Sequence, residues 1–278
     1  MMGGRDSALA PLSTLPIDEA RRVRGLLFEV DDTVTRNGRL EASALDALYR
    51  LGQTGIKRVA VTGRPLGWAE AIAHQWPVDL AIGENGAGYV RVTEDGVCTG
   101  YFSSAAERSS AAVELARIRA MAAREVPEIS LSADHASRRC DIAFDIGEHA
   151  RPTESAIARL VALIEDAGLR WLRSSVHLHV MAGGWDKASG ALLAIEQGLG
   201  DAPDPSVWAF IGDSGNDAAA FARFPFSVGV SNVREHIDRL SVPPRFVTRG
   251  DRGLGFAELA DSLIAAWTDG FARGKHLA

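Results

Sequence analysis

Apolar and polar positions along this chain fall into two rhythms. From residue 23 onward, short apolar runs that end in polar turns give way to stretches whose apolar residues recur at helical spacing. Residues 23–30, 57–61 and 78–82 read as buried strands. Between them, Leu45, Leu48 and Tyr49 mark one face of a helix starting near Glu41, and Pro65, suited to a first helical position, opens a second that runs to about Gln75. Such alternation is expected of a parallel sheet with crossover helices.

After the glycine-rich exit at 83–88 the rhythm changes. Residues 89–92 and 97–102 alternate as strands around Thr93-Glu94-Asp95-Gly96, a hairpin signal with Asp-Gly in the turn. A helix over 104–124 carries Ala111, Leu115, Ile118 and Ala122 on one face, residues 140–146 alternate as a strand, and Ile157, Leu160, Val161 and Ile164 mark another amphipathic helix. Residues 171–181 supply one or two further strands. The first rhythm then returns as a helix over 186–199, strands at 207–211 and 226–230, a helix between them at 218–221, and a closing helix over 253–267. The expected fold class is α/β, a Rossmann-like doubly wound parallel sheet core with an inserted α+β cap. Its parts are a loose leader over 1–22, a core from 23–88 and 185–272, and a cap over 89–184.

Composition narrows the class of partner. The chain has 278 residues, 46% of them apolar, which suits two packed domains. A net charge of -6 argues against nucleic acid, because phosphate backbones select basic faces. Two cysteines, Cys98 and Cys140, rule out a disulfide framework and read as thiols in a reducing compartment. No apolar stretch has the length of a signal peptide core or a membrane span, so a cytoplasmic protein without a membrane partner is expected. Oligomeric state is left open.

Candidate chemistry gathers at the strand ends. Glu29 and Asp31 close the first strand, and Asp213 and Asp217 follow the strand at 207–211. Ligands of open α/β sheets bind at this edge. Carboxylates crowded there repel one another unless a cation lies among them, and oxygen-only ligands select Mg2+. Thr62 and Gly63 end the second strand just before a helix start, where hydroxyl and N–H groups hold an anion. Lys187 opens the helix after the insert and adds a point charge. Mg2+, lysine and hydroxyl around an oxyanion form an arrangement for displacement at phosphorus.

Taken in order, Glu29 to Thr33, Thr62, Lys187 and Gly212 to Asp217 resemble the four signatures of the magnesium-dependent phosphatases of the haloacid dehalogenase superfamily. Only 28 residues separate Thr33 from Thr62, whereas 122 separate Arg64 from Lys187. The chain is thus similar to the subgroup capped between the second and third motifs, which includes sucrose-phosphate, mannosyl-phosphoglycerate and archaeal phosphoglycolate phosphatases. The resemblance implies a small phosphorylated metabolite as substrate and Mg2+ as cofactor. It assigns Asp31 as general acid and base, with its carbonyl on the metal, Asp213 and Asp217 as metal ligands, and Thr62 and Lys187 as phosphoryl ligands. Gly63, Arg64, Asn85, Asn216 and Asn232 are further candidates for substrate or supporting contacts.

One position departs from the pattern. Glu29 stands where the family places its nucleophilic aspartate, and its extra methylene shifts the carboxylate by on the order of 1 Å, enough to cost about 10²-fold in rate where in-line geometry matters. Metal ligation and phosphate binding are expected to persist while hydrolysis is weakened or lost. The alternative is a non-catalytic family member that binds a phosphorylated ligand or a protein. His177 and His179 share one face of a strand without a third transition-metal ligand nearby, so a cap strand lining the cleft is expected. Trp68, Trp76, Trp171 and Trp185 read as packing residues, and Arg138-Arg139 as a solvated turn.

Overall fold

The computed structural model describes residues 9–174 and 176–274. In chain order the elements begin with β1 (Ala10–Pro11), α1 (Ile17–Ala20), β2 (Gly25–Glu29), β3 (Thr35–Arg36), β4 (Arg39–Leu40), α2 (Ala42–Thr54), β5 (Lys57–Val61), α3 (Leu66–Gln75) and β6 (Leu80–Gly83). Next come β7 (Gly88–Thr93), β8 (Gly96–Tyr101), α4 (Ala105–Glu125), β9 (Asp141–Asp145), α5 (Glu154–Asp166), β10 (Arg170–Arg173) and β11 (His177–Met181). The chain closes with α6 (Lys187–Leu193), β12 (Trp208–Gly212), α7 (Ala218–Arg223), β13 (Phe226–Gly229), β14 (Phe246–Val247) and α8 (Arg252–Gly274).

A nine-stranded sheet in the order β1-β14-β13-β12-β2-β5-β6-β7-β8 forms the α/β core. It is parallel from β1 to β6. Its strands read as continuous apolar runs because both faces are covered. Leu26 and Phe28 pack on one side with Leu48 of α2, Leu66 of α3 and Phe256 of α8, while Leu27 packs on the other with Ala191 of α6 and Phe221 of α7. A second, antiparallel sheet, β10-β11-β9, buries Leu178, Val180 and Phe144 against Ile118 of α4 and Leu160 of α5.

The structure redraws two expected boundaries. The hairpin β7-β8, assigned from sequence to the insert, instead joins β6 antiparallel and extends the core sheet. Its alternating pattern specified a hairpin but not the strand it would pair with, and β6 offered an open edge. The separate sheet therefore begins only after Tyr101. The expected loose leader is ordered from residue 9: Leu9 and Leu12 are buried, and Ala10–Pro11 pairs in parallel with Phe246–Val247. Residues 1–8 lie outside the described residues.

Beside the crossing from core to insert and back, Gly86 and Gly190 touch. A Cβ on Gly190 would lie 2.3 Å from the Cα of Gly86, and one on Gly86, which has φ of +104°, would lie 2.2 Å from the Asp186 carbonyl oxygen. Only glycine at both positions lets α6 lie this close. The start of α6, and with it Lys187, is thereby fixed over the sheet edge.

Candidate active site

Parallel pairing of β12, β2 and β5 places three polar exits side by side, with Ile211 opposite Phe28 and Glu29 opposite Val61. Across this edge the Thr33 hydroxyl donates to Asp213 Oδ1 at 3.3 Å. Asp217 Oδ2 accepts the backbone N–H groups of Asp213 and Ser214 at 2.9 and 3.0 Å, closing the turn after β12. Lys187 sits in the first turn of α6, behind an Asp186 cap whose side chain accepts the Ser189 N–H. A cation at a helix N-terminus opposes the helix dipole, so this placement needs compensation. Two carboxylates supply it: the buried ammonium donates to Glu29 Oε2 and, at 2.6 Å, to Asp217 Oδ1.

Asp213 is buried among other acids. Burial pushes its carboxyl well above the ordinary range, Asp217 and Asp32 push it further, and Lys187 opposes them. Its Oδ2 is buried and has no hydrogen-bond partner among the described residues. An orphaned carboxylate oxygen beside other acids is suited to an oxygen-seeking cation. Both oxygens of Asp217 are already engaged, one by the turn and one by Lys187. Among the described residues no three His, Cys, Asp or Glu groups stand in a metal-holding cluster.

Arg64 reaches across the mouth of the cleft. Its guanidinium grips Asp31 in two-pronged fashion, Nε to Oδ2 at 2.8 Å and Nη2 to Oδ1 at 3.2 Å, while Nη1 lies 2.9 Å from Glu148. Thr62 is fully buried, and its hydroxyl oxygen accepts the Arg64 N–H at 3.0 Å, which leaves its proton for an anion. A Cβ at Gly63 would lie 3.1 Å from both Asn85 Oδ1 and His179 Nε2, so a larger residue would crowd the loop. Asn216 Nδ2 donates to Asn85 Oδ1 at 3.0 Å, bridging two strand exits.

From β11, His177 and His179 line the same cleft as Glu29, Asp31 and Asn216. His177 Nε2 donates to Glu148 at 2.9 Å, and burial, reinforced by His179 and Arg64, lowers its pKa to about 4. It is therefore neutral near pH 7. His179 Nδ1 lies 3.2 Å from Asp141. Asn232 is drawn elsewhere: its amide donates to the Asp32 carbonyl at 2.9 Å and accepts the Arg252 N–H at 3.0 Å, tying the acid loop to α8. The expected solvated Arg138-Arg139 turn is corrected for its first member. The Arg138 side chain is fully buried because Asp134 and Asp141 neutralise it, whereas Arg139 stays exposed.

Sequence reasoning missed Glu84 as a side chain with a task. Fully buried, with φ of +50°, it accepts the N–H of Leu66 at the start of α3 and those of Arg139, Cys140 and Asp141 at the start of β9. One carboxylate thus staples the insert to the core. Burial, then Asp141, pushes it up to about 7 in spite of those donors. A carboxyl raised in the folded state contributes stability below its unfolded value of 4.5 and loses it as pH climbs to about 7. At 1.36 kcal/mol per pKa unit the loss is about 3 kcal/mol. Relative to Glu84→Gln, the protein is therefore expected to lose about this much unfolding free energy between those pH values. Urea titrations of both proteins across that range check it, and parallel pH profiles would refute it.

A model of the haloacid dehalogenase-like hydrolases matches residues 26–106. The phosphoglycolate phosphatase of Pyrobaculum neutrophilum is 30% identical over 248 residues, covering 86% of this chain and 95% of the relative. Among solved structures, a Thermoplasma acidophilum protein superposes with a TM-score of 0.68 at 18% identity, covering 87% of this chain and 98% of the other. The sucrose-phosphatase of Synechocystis sp. PCC6803 gives 0.64 at 16% identity, with coverage of 87% and 98%. The fold is a largely parallel α/β sheet carrying the strand-end site, with an inserted α+β layer. The chain belongs to the haloacid dehalogenase-like hydrolases. No helix of the described residues is long and apolar enough to cross a membrane.

Proposed function

We propose that the protein is a Mg2+-dependent phosphomonoester hydrolase of a small phosphorylated metabolite, of the sugar phosphate or phosphoglycolate class, working at a reduced rate because Glu29 holds the nucleophile position. The observation that carries this reading is Lys187, a fully buried ammonium held between Glu29 and Asp217 at the edge where Thr62 also ends its strand. A positive charge in that place, beside its structural role of pairing with the two acids, is suited to a phosphoryl group. The 30% identical relative, named for phosphoglycolate hydrolysis, supports the substrate class.

In this reading Thr62 and Lys187 hold the phosphoryl oxygens, and the Glu29 carboxylate attacks phosphorus in line with the leaving oxygen. Asp31 donates a proton to that oxygen as its bond to phosphorus breaks, and then takes a proton from the water that attacks the phosphorus, breaking its bond to Glu29 and freeing inorganic phosphate. Asp31 becomes free for this when substrate displaces the Arg64 contact. Glu29, Asp213 and the Asp31 carbonyl would hold Mg2+, which supplies charge neutralisation for the phosphoryl oxygens. Residues 105–181 act as a cap over the cleft, presenting His177, His179 and Glu148 to the leaving group.

One observation favours the second reading, a non-catalytic ligand binder: both oxygens of Asp31 are held by Arg64, so the proton donor is closed off. Phosphate release from a panel of phosphorylated metabolites, with and without Mg2+, separates the two. Turnover requiring Mg2+ supports the enzyme. Silence with ligand-induced thermal stabilisation supports the binder.

A further inference from the structure

A second cavity of about 170 Å³ lies between α4 and the segment leading into β9, outside the catalytic cleft. Its lining is strongly basic, with Arg108 and Arg119 from α4, and His135, Arg138 and Arg139 from the facing segment, above an apolar floor of Leu115 and Ile142. Asp141 is the one acid among the lining residues, and it is spent on Arg138 at 2.8 Å and His179 at 3.2 Å. Arg139 pairs with Glu70. Arg108 and Arg119 contact no carboxylate among the described residues. The first lies 3.8 Å over the Tyr101 ring and donates to the Ser103 carbonyl, and the second points Nη1 at His135 Nε2, 3.5 Å away.

The imbalance continues beneath the wall. Arg138 Nε and His135 Nδ1 are buried without a hydrogen-bond partner among the described residues. With Arg119 donating to Nε2, a neutral His135 carries its proton on Nδ1, so both orphaned groups are N–H donors. Burial, with Arg119 and Arg138 nearby, lowers the His135 pKa, which keeps the ring neutral. Arg108 and Arg119, two guanidinium groups without a carboxylate partner among the described residues at the rim of a concave space, select oxyanions, which guanidinium groups hold through charge-assisted, often two-pronged hydrogen bonds.

We propose that this cavity is an anion-binding site for a small phosphate-type dianion, held by Arg108, Arg119 and Arg139. The site adjoins the joint between insert and core. Arg138, in its wall, donates to the Gly63 carbonyl of the candidate phosphate loop at 3.1 Å, and the N–H groups of Arg139 to Asp141 bond Glu84. An anion bound here therefore steadies the segment that braces the catalytic edge.

The test uses inorganic phosphate and the full-length, isotope-labelled protein without Mg2+, following the Nε–H resonances of the arginines by NMR. Arg108, Arg119 and Arg139 are expected to shift together with one dissociation constant. Arg108→Gln/Arg119→Gln, two changes on the cavity-lining side of α4, should weaken the Arg139 response by about tenfold or more. Arg64, in the catalytic cleft, should report its own phosphate response unchanged in that variant. Loss of the Arg64 response alone would count against the catalytic reading and leave this site standing. No saturable shift at Arg108, Arg119 and Arg139, or an Arg139 response unaltered in a folded double variant, would overturn it.

Discussion

Replacing Glu29 by aspartate is expected to raise phosphate release by about 10²-fold, the cost associated with a displacement on the order of 1 Å at a reacting atom. Glu29 is the buried last residue of β2, paired with Val61 of β5, and Phe28 just before it pairs with Ile211 of β12, so its backbone has little room to retreat and absorb an extra methylene. The longer side chain brings its carboxylate onto the Lys187 ammonium, which holds it as one half of an ion pair. Aspartate would draw the carboxylate back and leave Lys187 free to turn to the phosphoryl oxygens. The gain should appear chiefly in kcat, with KM falling as the freed Lys187 turns to the phosphoryl group. Steady-state phosphate release with and without Mg2+ measures it. Equal or lower kcat in Glu29→Asp would mean that Glu29 is not an impaired nucleophile.

Much of this site is legible in the sequence because strand exits are local. An apolar run followed by acids names both the strand and the edge on which its polar residues emerge, as at Glu29 to Thr33 and Gly212 to Asp217. Parallel pairing then brings Asp213 beside Thr33 without further information. Illegible were the contacts that depend on how the insert lies over the core. Arg64 meets Asp134 and Glu148, and Arg138 meets the Gly63 carbonyl, across sequence separations with no periodicity to mark them. Glu84 was visible only as part of a glycine-rich exit. Its role depends on three N–H groups more than fifty residues away, at Arg139, Cys140 and Asp141. The β7-β8 hairpin shows the same limit, since its own alternation cannot say which edge it will extend.

Replacing Lys187 by methionine, close in volume but uncharged, is expected to lower stability by about 3–5 kcal/mol, the usual result of removing one partner from a buried ion pair. For a chain of this size that corresponds to a fall in Tm of roughly 10 °C. The cost arises because Glu29 and Asp217 would remain buried beside Asp213, whose carboxyl burial and Asp217 already push well up. Lys187 is among the influences holding that rise in check. Without it, the Asp213 carboxyl would be raised further in the folded state, so the variant should gain stability as pH falls toward the ordinary carboxylate range, relative to the unaltered protein. A divalent cation offers the alternative compensation: Mg2+ should restore more stability to Lys187→Met than to the unaltered protein, through the orphaned Asp213 Oδ2. Phosphate binding in the cleft should fall together with stability, and Mg2+ should restore only the second, since a cation among the carboxylates does not replace an ammonium aimed at the phosphoryl oxygens. Calorimetric melting with and without Mg2+, paired with phosphate titration, measures both. A variant that melts within about 2 °C of the parent and binds phosphate as well would show that Lys187 is neither the keystone of the acid cluster nor a phosphoryl ligand.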